Sequence, residues 1–281
     1  MHDQPVLFGS SSMPPRLLNK SIVIIGGTSG MGLSAAAACK EAGARLVVVG
    51  RDAESTEFAR RQLGDLGRFL VGDATHAETA ERAVVEAVEQ FGRLDALYHV
   101  AGGSGRKFGD GPLHDVTDEG IDWTLALNLK SVIFSNRAAV RQFRAQGDGG
   151  VILNMGSVLG SRPSPQFFST HIYAAAKSAL VGFTRSCAAY YAKENIRFNV
   201  IAASLVETPM SQRAAGDETI LKFMSTKQPL DGGRIGLPAD LDEAVLLLLG
   251  DGSRFITGQV LSVDGGWSVS EGQIPSFDRK G

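Results

Sequence analysis

The sequence predicts an α/β fold, with a doubly wound parallel sheet of about seven strands and helices on both faces. Three observations support this class. Short β-branched runs alternate with Ala-rich helical stretches along the 281 residues, as expected of strands joined by helical crossovers. Runs such as 22–25 (IVII) are apolar at every position, which suits strands covered on both faces. The chain also lacks a composition break, a Pro-rich linker or an internal repeat that would mark a second domain.

Strands are predicted where short runs are rich in Val, Ile, Leu and Phe, and helices where longer Ala-rich stretches follow them. The predicted strands lie near 21–26 (SIVIIG), 45–50 (RLVVVG), 68–71 (RFLV), 94–100 (LDALYHV), 150–155 (GVILNM), 196–202 (IRFNVIA) and 259–263 (QVLSV). The predicted helices lie near 30–42, 53–63, 76–91, 117–146, 171–193 and 239–249. Right-handed crossovers between such strands favour the doubly wound topology.

The predicted domain spans 20–269, between an N-terminal extension over 1–19 and a tail over 270–281. The extension lacks a basic start followed by a long apolar run, so we do not expect a signal peptide. Two long stretches, 102–120 and 205–233, follow predicted strands. We expect both to be loops at the sheet edge where such folds bind ligands, with 205–233 as the substrate loop.

The charge balance and the cysteine content exclude several classes of protein. Lys and Arg number 28 against 30 Asp and Glu, and no basic cluster is long, so we expect no nucleic-acid partner. No run reaches the roughly 18 apolar residues of a membrane span, so we expect no membrane partner. Cys39 and Cys187 lie in Ala-rich stretches without metal-ligand spacing. We interpret both as packing residues of a cytoplasmic protein that has no metal site.

A glycine-rich turn follows the first predicted strand and opens the first predicted helix. Gly26 permits a tight turn, and Gly30 and Gly32 let backbone N–H groups and the helix N-terminus approach a pyrophosphate. The spacing is G-x-x-x-G-x-G, and its position after a buried strand indicates a dinucleotide site rather than an ordinary turn. The candidate cofactor contacts in this turn are Gly26, Thr28, Ser29, Gly30, Met31 and Gly32.

The end of the second predicted strand bears on which dinucleotide binds. An acid at this point would accept hydrogen bonds from the adenosine ribose, whereas an arginine pairs with a 2′-phosphate. Gly50 occupies the place expected for the acid and Arg51 follows it, so the sequence favours NADP(H) over NAD(H). The alternative is a solvated Arg51, with Asp52 binding the ribose.

A tyrosine and a lysine four residues apart begin the long helix predicted over 171–193. Residues four apart share one helix face, so the Tyr173 phenol and the Lys177 ammonium are predicted to project into the same space. An unperturbed tyrosine has a pKa of about 10. Because a nearby positive charge favours the phenolate, we expect Lys177 to lower the pKa of Tyr173 toward that of a useful acid or base.

Together these landmarks resemble the short-chain dehydrogenase/reductase family, in the single-domain branch that includes the 3-oxoacyl-(acyl carrier protein) reductases. The resemblance covers about 20–268 and implies a Rossmann fold and NAD(P)-dependent oxidation or reduction of a secondary alcohol or carbonyl. The landmarks beyond the glycine turn are Asp73, Ala101, Gly102, Asn128, Ser157, Tyr173, Lys177, Asn199, Thr208 and 263–266.

The resemblance implies a role for each matching residue. Tyr173 would donate the proton in reduction and accept it in oxidation, while Lys177 would hold the nicotinamide ribose. Ser157 would hydrogen-bond the substrate oxygen, and Asn128 would support a proton-relay water. The implied cofactor contacts outside the glycine turn and Arg51 are Asp73, Ala74, Ala101, Gly102, Tyr173, Lys177, Val206 and Thr208.

Two stretches depart from the family pattern. His99 and Val100 stand where two asparagines are usual, and we interpret His99 as a core residue rather than one that titrates near neutral pH. The run 202–204 replaces the usual Pro-Gly before the substrate loop, so the resemblance does not predict the backbone path there. Asn128, between two leucines of a predicted helix, must find a hydrogen-bond partner or incur a cost of about 1–3 kcal/mol.

The loop between Ser157 and Tyr173 is predicted to shape the substrate pocket. These two residues are 173 − 157 = 16 apart, about three more than the resemblance implies. Phe167, Phe168 and Met210 are the predicted pocket residues, and an apolar wall of this kind suits an apolar or cyclic ketone. Basic residues point instead to an acidic carrier or a carboxylate, and both patterns stay open. These basic residues are Arg106, Lys107 and Arg162.

Two alternatives stay open, and the resemblance also implies an assembly. The segment 210–227 is either a lid helix that closes over substrate or an ordinary amphipathic surface helix. The chain is either an oxidoreductase or a non-catalytic dinucleotide-binding sensor or scaffold on the same fold, which the complete set of four catalytic candidates disfavours. The resemblance implies a homotetramer built on the long helices, whose Ala-rich faces include Ala188 and Ala189.

Overall fold

The computed structural model describes residues 16–64 and 67–273, and these form seven strands and nine α-helices. The strands are β1 Ser21–Ile25, β2 Arg45–Gly50, β3 Gly67–Val71, β4 Ala96–His99, β5 Gly150–Ser157, β6 Ile196–Ala203 and β7 Val260–Val263. The helices are α1 Gly30–Glu41, α2 Ala53–Leu63, α3 Ala77–Phe91, α4 Asp118–Leu125, α5 Ser131–Gln146, α6 His171–Tyr191, α7 Gln212–Ala215, α8 Glu218–Lys227 and α9 Asp242–Leu249.

All strands join one parallel sheet in the order β3-β2-β1-β4-β5-β6-β7. The predicted doubly wound fold is therefore confirmed. The chain order reverses between β1 and β4, where Ile25 lies opposite both Val49 and His99. Farther along the sheet, Ser157 at the end of β5 lies opposite Ala203 at the end of β6. The ends of five strands thus meet at the edge where such sheets bind ligands.

The central strands are covered on both faces, as their apolar runs predicted. Ile22 and Ile24 pack on one face in a cluster with residues of α1 and α9. Val23 and Ile25 pack on the other face with residues of α3, α5 and α6. Because successive side chains of a strand point to opposite faces, a strand buried on both sides must be apolar throughout.

The single helix predicted over 117–146 is interrupted by a turn of π-helix at Ala126–Lys130. Two side chains in this region bond to the helix backbone: Asn128 Nδ2 donates to the carbonyl of Thr124 at 2.9 Å, and Ser131 Oγ donates to that of Leu127 at 2.5 Å. A single π turn inside a helix is frequent at functional sites. Here it places Asn128 toward the sheet edge.

The loop predicted over 205–233 contains the helices α7 and α8. Asp217 begins α8, since its carboxylate accepts hydrogen bonds from the backbone N–H groups of Thr219 and Ile220. The apolar face of α8 is buried in a cluster that includes Phe223 and Trp267. The closure of the segment 210–227 over a substrate stays a prediction.

Parts of both predicted chain ends lie outside the described residues, namely 1–15 and 274–281. The remainder packs on the domain. Leu17 is fully buried, and the Arg16 guanidinium lies 2.8 Å from the Glu243 carboxylate. At the other end, the Gln273 N–H donates to Thr226 Oγ1 at 2.6 Å. The packed domain therefore extends a few residues beyond the predicted limits of 20 and 269.

Both cysteines are packing residues in the structure. Cys39 is buried in the core, and burial raises the pKa of its thiol to about 12. Cys187 is partly buried, and burial again raises its pKa. Within 16–64 and 67–273, no helix combines the length and apolar character needed to cross a bilayer. The same residues hold no group of three or more His, Cys, Asp or Glu side chains placed to bind a metal ion.

Candidate active site

Two connected cavities lie at the carboxyl edge of the sheet. The first, which we call the long groove, has a volume of about 500 Å³ and runs past the ends of β1, β2, β4 and β5. The second, the adjoining cavity, has a volume of about 550 Å³ and extends from there toward α7 and Trp267. Ser157 and Tyr173 line both spaces. The predicted hydroxyl groups therefore stand where the two cavities meet.

The glycine turn forms one end of the long groove. Gly26 has a φ of 87°, and a Cβ atom on it would lie 2.5 Å from the backbone nitrogen of Ala101. A Cβ on Gly32 would lie 2.0 Å from the carbonyl oxygen of Gly26, so α1 can approach β1 only with glycine at this position. The first N–H groups of α1 lack partners within the helix. A groove that ends at such a helix N-terminus fits a pyrophosphate.

The predicted residues of this turn line the groove together. They are Gly26, Thr28, Ser29, Gly30, Met31 and Gly32. Thr208 covers the turn from the far side, since a Cβ on Gly30 would lie 3.1 Å from its Cγ2. The groove wall on that side is therefore formed by the substrate loop.

At the end of β2, the structure leaves no room for an acidic side chain at Gly50, the position where an acid would bind the ribose. A Cβ on Gly50 would lie 2.4 Å from both Cγ2 and Oγ1 of Thr28. Asp52 begins α2, where its carboxylate accepts a 2.8 Å hydrogen bond from the Ser55 N–H that lowers its pKa. Arg51 is exposed and lines the groove. Asp52 is thus already used as a helix cap, whereas Arg51 is exposed and lines the open groove.

Asp73 and Ala74 line the same region of the groove. The Asp73 carboxylate accepts hydrogen bonds from Thr75, at 2.8 Å from its N–H and 2.7 Å from its hydroxyl. Burial acts to raise the pKa of Asp73, but these two hydrogen bonds, together with the charges of His76 and Arg51, outweigh burial, and the pKa lies below its usual value. The carboxylate therefore stays ionised and fixed in place.

Tyr173 is held by a residue that the sequence analysis missed. Asp110 is 2% exposed, and its carboxylate accepts hydrogen bonds from the backbone N–H groups of Ile172 at 3.0 Å and Tyr173 at 2.9 Å. Asp110, in a separate loop, thereby supplies acceptors for backbone N–H groups in the first turn of α6, which have no partners within the helix. The only signal in the sequence is an aspartate between two glycines, a pattern typical of an ordinary turn.

Lys177 and Tyr173 share one face of α6, as their spacing predicted. The Lys177 ammonium lies 5.6 Å from the centroid of the Tyr173 ring and donates to the Met155 carbonyl at 2.8 Å. Burial lowers the pKa of Lys177 to about 8. Burial raises the pKa of Tyr173, while the Ser157 hydroxyl acts in the opposite direction. Lys177 is not among the groups that shift the pKa of Tyr173 in this structure, so the expectation that it lowers this pKa stays a prediction.

Ser157 ends β5 beside the phenol. Its Oγ accepts a hydrogen bond from the Leu159 N–H at 3.2 Å, which leaves its own proton available to a second acceptor. A hydroxyl so arranged can donate to a carbonyl oxygen placed between Ser157 and Tyr173.

Asn128 is fully buried, and the structure supplies the partners that its amide requires. Its Nδ2 donates to the Gly103 carbonyl at 2.8 Å, and its Oδ1 accepts from the Gly103 N–H at 3.0 Å. A Cβ on Gly102 would lie 3.0 Å from Asn128 Oδ1 and 3.4 Å from Lys177 Nζ. Glycine at 102 therefore preserves a space between the amide and the ammonium.

His99 is a core histidine, in agreement with the sequence interpretation. It is 1% exposed, and burial, together with the charge of Lys177, lowers its pKa to about 3. Its Nδ1 lies 2.7 Å from Ser135 Oγ, and its Nε2 lies 3.1 Å from the Ala101 carbonyl oxygen. The neutral ring thus links α5 to the loop in which Ala101 and Gly102 line the groove.

The remaining predicted residues divide between the cavities and the core. Phe168 and Met210 line the adjoining cavity. Phe167 lies outside its lining and packs on Phe223 with ring centroids 4.9 Å apart. Val206 is buried in the core and lies outside the lining of the long groove. The side chains of Phe167 and Val206 thus pack away from the two cavities, and their contacts with substrate and cofactor stay predictions.

The adjoining cavity combines an apolar wall with a basic edge. The wall includes Phe168, Trp267 and the pair formed by Phe108 and Trp123, whose rings stack with centroids 4.3 Å apart. Basic residues from two loops also line it, namely Arg106, Lys107 and Arg213. Arg162, a basic candidate in the sequence analysis, lies outside this lining.

Comparison with known proteins agrees with this geometry. A family model described as Enoyl-(Acyl carrier protein) reductase matches residues 26–268. The 2-(S)-hydroxypropyl-CoM dehydrogenase 3 of Xanthobacter autotrophicus is 33% identical over 264 residues, which cover 92% of this chain and 100% of that protein. The 3-oxoacyl-[acyl-carrier-protein] reductase FabG of Chlamydia trachomatis is 31% identical over 255 residues, which cover 89% of this chain and 98% of that protein.

Solved structures show the same architecture. Levodione reductase superimposes with a TM-score of 0.82 at 27% identity, covering 90% of this chain and 99% of that one. A short-chain type dehydrogenase/reductase from Mycobacterium ulcerans superimposes with a TM-score of 0.84 at 27% identity, covering 91% and 92%. The chain belongs to the short-chain dehydrogenase/reductase family and is an NAD(P)-dependent oxidoreductase.

Proposed function

We propose that the chain transfers a hydride between NADP(H) and a carbonyl or secondary alcohol, with Tyr173 as the general acid and base. The observation that carries this proposal is the position of Ser157 and Tyr173 at the junction of the two cavities. A cofactor in the long groove and a substrate in the adjoining cavity would meet at these two hydroxyl groups.

The residues of the long groove fit a dinucleotide. The N-terminus of α1 and the glycine turn would hold the pyrophosphate, and Asp73 and Ala74 would lie along the adenosine half. Gly102, Lys177 and Thr208 would lie along the nicotinamide half. When bound, the nicotinamide supplies or takes up the hydride, so the protein has to orient the substrate and move one proton.

The β2 end supports NADP(H) as the preferred cofactor. An acid that would bind the ribose is sterically excluded at Gly50, and the Asp52 carboxylate is already occupied by Ser55. Arg51 faces the groove and would pair with a 2′-phosphate. NAD(H) is the alternative, with Asp52 leaving its capping position to bind the ribose.

The proton transfer rests on Tyr173, Ser157 and Lys177. Because burial raises the pKa of the phenol, Tyr173 holds its proton near neutral pH. In reduction, Ser157 Oγ would donate a hydrogen bond to the carbonyl oxygen and the Tyr173 hydroxyl would transfer its proton to it. The Lys177 ammonium on the same helix face would stabilise the phenolate that remains. Asn128 would hold a water in the space beside Gly102, from which the phenolate regains its proton.

The size and lining of the adjoining cavity favour a small molecule with an apolar part. Trp123, Phe168 and Met210 line it, and a volume of about 550 Å³ lies in the range of small-ligand sites. One relative is the cis-4-hydroxycyclohexanecarboxylate dehydrogenase of Sinomonas cyclohexanicum, which is 31% identical. We infer a substrate of comparable size.

The chain is further proposed to act as a homotetramer in the cytoplasm. The outer face of α6 exposes small residues, among them Ala179 and Ala189, and a Cβ on Gly182 would meet no atom within 4 Å. A second helix would approach closely there. Ala188 does not belong to this face, since it is 3% exposed and packs in the core. Cytoplasmic placement is supported by the two unpaired thiols.

A screen of carbonyl compounds separates this proposal from the sensor or scaffold alternative. Reduction is followed by the loss of NADPH absorbance, with oxidation of the matching alcohols as the reverse test. Turnover of a ketone supports the oxidoreductase. Tight binding of NADPH without turnover of any compound in either direction would favour the sensor.

A further inference from the structure

We propose that the adjoining cavity binds a substrate carrying a carboxylate or a similar oxyanion, held by Arg106 and Arg213. This inference rests on the proposed function, because it places the anion in the cavity that Tyr173 and Ser157 share with the cofactor groove. It also names the class of substrate, which hydride transfer to a carbonyl does not define by itself.

The lining of this cavity is strongly biased in charge. Among the described residues, four basic side chains line it and no carboxylate does. The whole chain, by contrast, has 28 basic and 30 acidic residues, so the bias belongs to the cavity and not to the composition. The four are Arg51, Arg106, Lys107 and Arg213.

Three of these cations are separate from the cofactor site. Arg51 lines both spaces, but Arg106, Lys107 and Arg213 lie outside the lining of the long groove. Phosphates of a dinucleotide in the groove therefore do not account for them. Together with Tyr173, these three residues line the adjoining cavity, where the substrate would lie.

Arg106 and Arg213 approach each other from two different loops. Arg106 belongs to the 3₁₀ turn Gly105–Phe108 after β4, and Arg213 belongs to α7 in the substrate loop. The charge of Arg213, after the effect of burial, lowers the pKa of Arg106. Two like charges brought together at a cavity disfavour each other unless an anion lies between them.

The carboxylate that attracts Arg106 is already engaged. Asp110 attracts Arg106, but both of its oxygens accept backbone hydrogen bonds at the start of α6. In the described part of the chain neither Arg106 nor Arg213 forms an ion pair with a carboxylate, whereas Arg234, for example, pairs with Asp231 and Asp240. Arg106 and Arg213 are left to a ligand, and guanidinium groups match a carboxylate with paired hydrogen bonds.

The cavity favours a small anion over an acidic carrier protein. Its basic residues, which are exposed, line one cavity together with the stacked rings of Phe108 and Trp123. The predicted substrate thus has an apolar body against these rings, an anionic end at the two arginines and a carbonyl at Tyr173.

Matched keto acids and esters test this proposal. We expect kcat/KM with NADPH to be at least about tenfold higher for 4-oxocyclohexanecarboxylate and 6-oxoheptanoate than for their methyl esters. Arg106→Gln and Arg213→Gln should each lower this acid-to-ester ratio by about tenfold. Arg162→Gln removes the same charge outside the cavity and should leave the ratio unchanged.

The outcomes separate this proposal from the proposed function. If esters are reduced as efficiently as acids, or if both arginine variants keep the acid preference, the anion site is contradicted while the oxidoreductase stands. If no ketone is turned over, calorimetry with cyclohexanecarboxylate decides. The site is supported if the native chain binds cyclohexanecarboxylate, if Arg106→Gln and Arg213→Gln abolish this binding, and if Arg162→Gln retains it. Absent binding, or binding unaffected by the variants, contradicts it.

Discussion

The buried carboxylate of Asp110 accepts a 2.9 Å hydrogen bond from the backbone N–H of Tyr173, the residue that carries the proposed proton transfer. Its second oxygen accepts from the Ile172 N–H at 3.0 Å. A carboxylate at a helix N-terminus is favoured by the helix dipole and by the unpaired N–H groups. The glycine-rich loop after β4 thereby fixes the start of α6, and with it the phenol.

Replacing Asp110 with Ala should lower both stability and turnover. Loss of this cap leaves two partly buried N–H groups without acceptors, at a cost of about 1–3 kcal/mol in the free energy of unfolding. A less fixed phenol should lower kcat by about tenfold or more. Urea unfolding and steady-state kinetics measure the two effects.

Asp115→Ala is the matched control for Asp110, since Asp115 lies in the same loop and is exposed. It should alter neither quantity appreciably. Equal stability and equal kcat in the two variants would show that Asp110 does not position α6.

His99 predicts a specific dependence of stability on pH. Its pKa is about 3 in the folded chain and 6.5 for an ordinary histidine, so between these values only the unfolded chain binds the proton. The free energy of unfolding therefore falls as the pH falls from 6.5 toward 3. Above pH 6.5, His99 is neutral in both the folded and the unfolded chain, and no stability is lost through it. At pH 4 the loss attributable to His99 is on the order of 3 kcal/mol.

His99→Asn should remove this component of the pH dependence. Denaturant titrations at pH 7 and pH 4 would show a smaller difference for the variant than for the native chain. His114→Asn, which changes an exposed histidine, should keep the native difference. A native-like pH dependence in His99→Asn would mean that His99 is not buried in its neutral form.

Arg51 should determine the preference between the two dinucleotides. Pairing with a 2′-phosphate is a charge-assisted interaction worth about 1.5–3 kcal/mol, so Arg51→Gln should weaken NADPH binding by about tenfold or more and leave NADH binding nearly unchanged. Arg61→Gln, on the exposed side of the adjacent helix, is the control. Tighter binding of NADH than of NADPH by the native chain would reverse the cofactor assignment.

Local sequence patterns predicted the sheet and the shared helix face of Tyr173 and Lys177. The apolar run 22–25 required a strand covered on both faces, and the four-residue spacing of Tyr173 and Lys177 required a shared helix face. The structure has both features. Each depends on periodicity within one element, which a sequence displays directly.

Features that depend on contacts between distant segments were not predictable in this way. The π turn at Ala126–Lys130 accompanies hydrogen bonds from Asn128 to Gly103, in another loop. The bond from Lys177 to Met155 and the cap from Asp110 likewise join separate elements. The side chains of Phe167 and Val206 point inward because of tertiary packing. Neighbouring residues in the sequence carry no information about that packing.

The most direct test of the account is the kinetics of Tyr173→Phe with a carbonyl compound that the native chain reduces. The substitution removes only the hydroxyl, so the Kd for NADPH should stay within about twofold of the native value. Loss of the general acid should lower kcat by about 100-fold or more. A variant that binds NADPH normally and keeps more than about a tenth of the native kcat would contradict the assignment of Tyr173 as the proton donor.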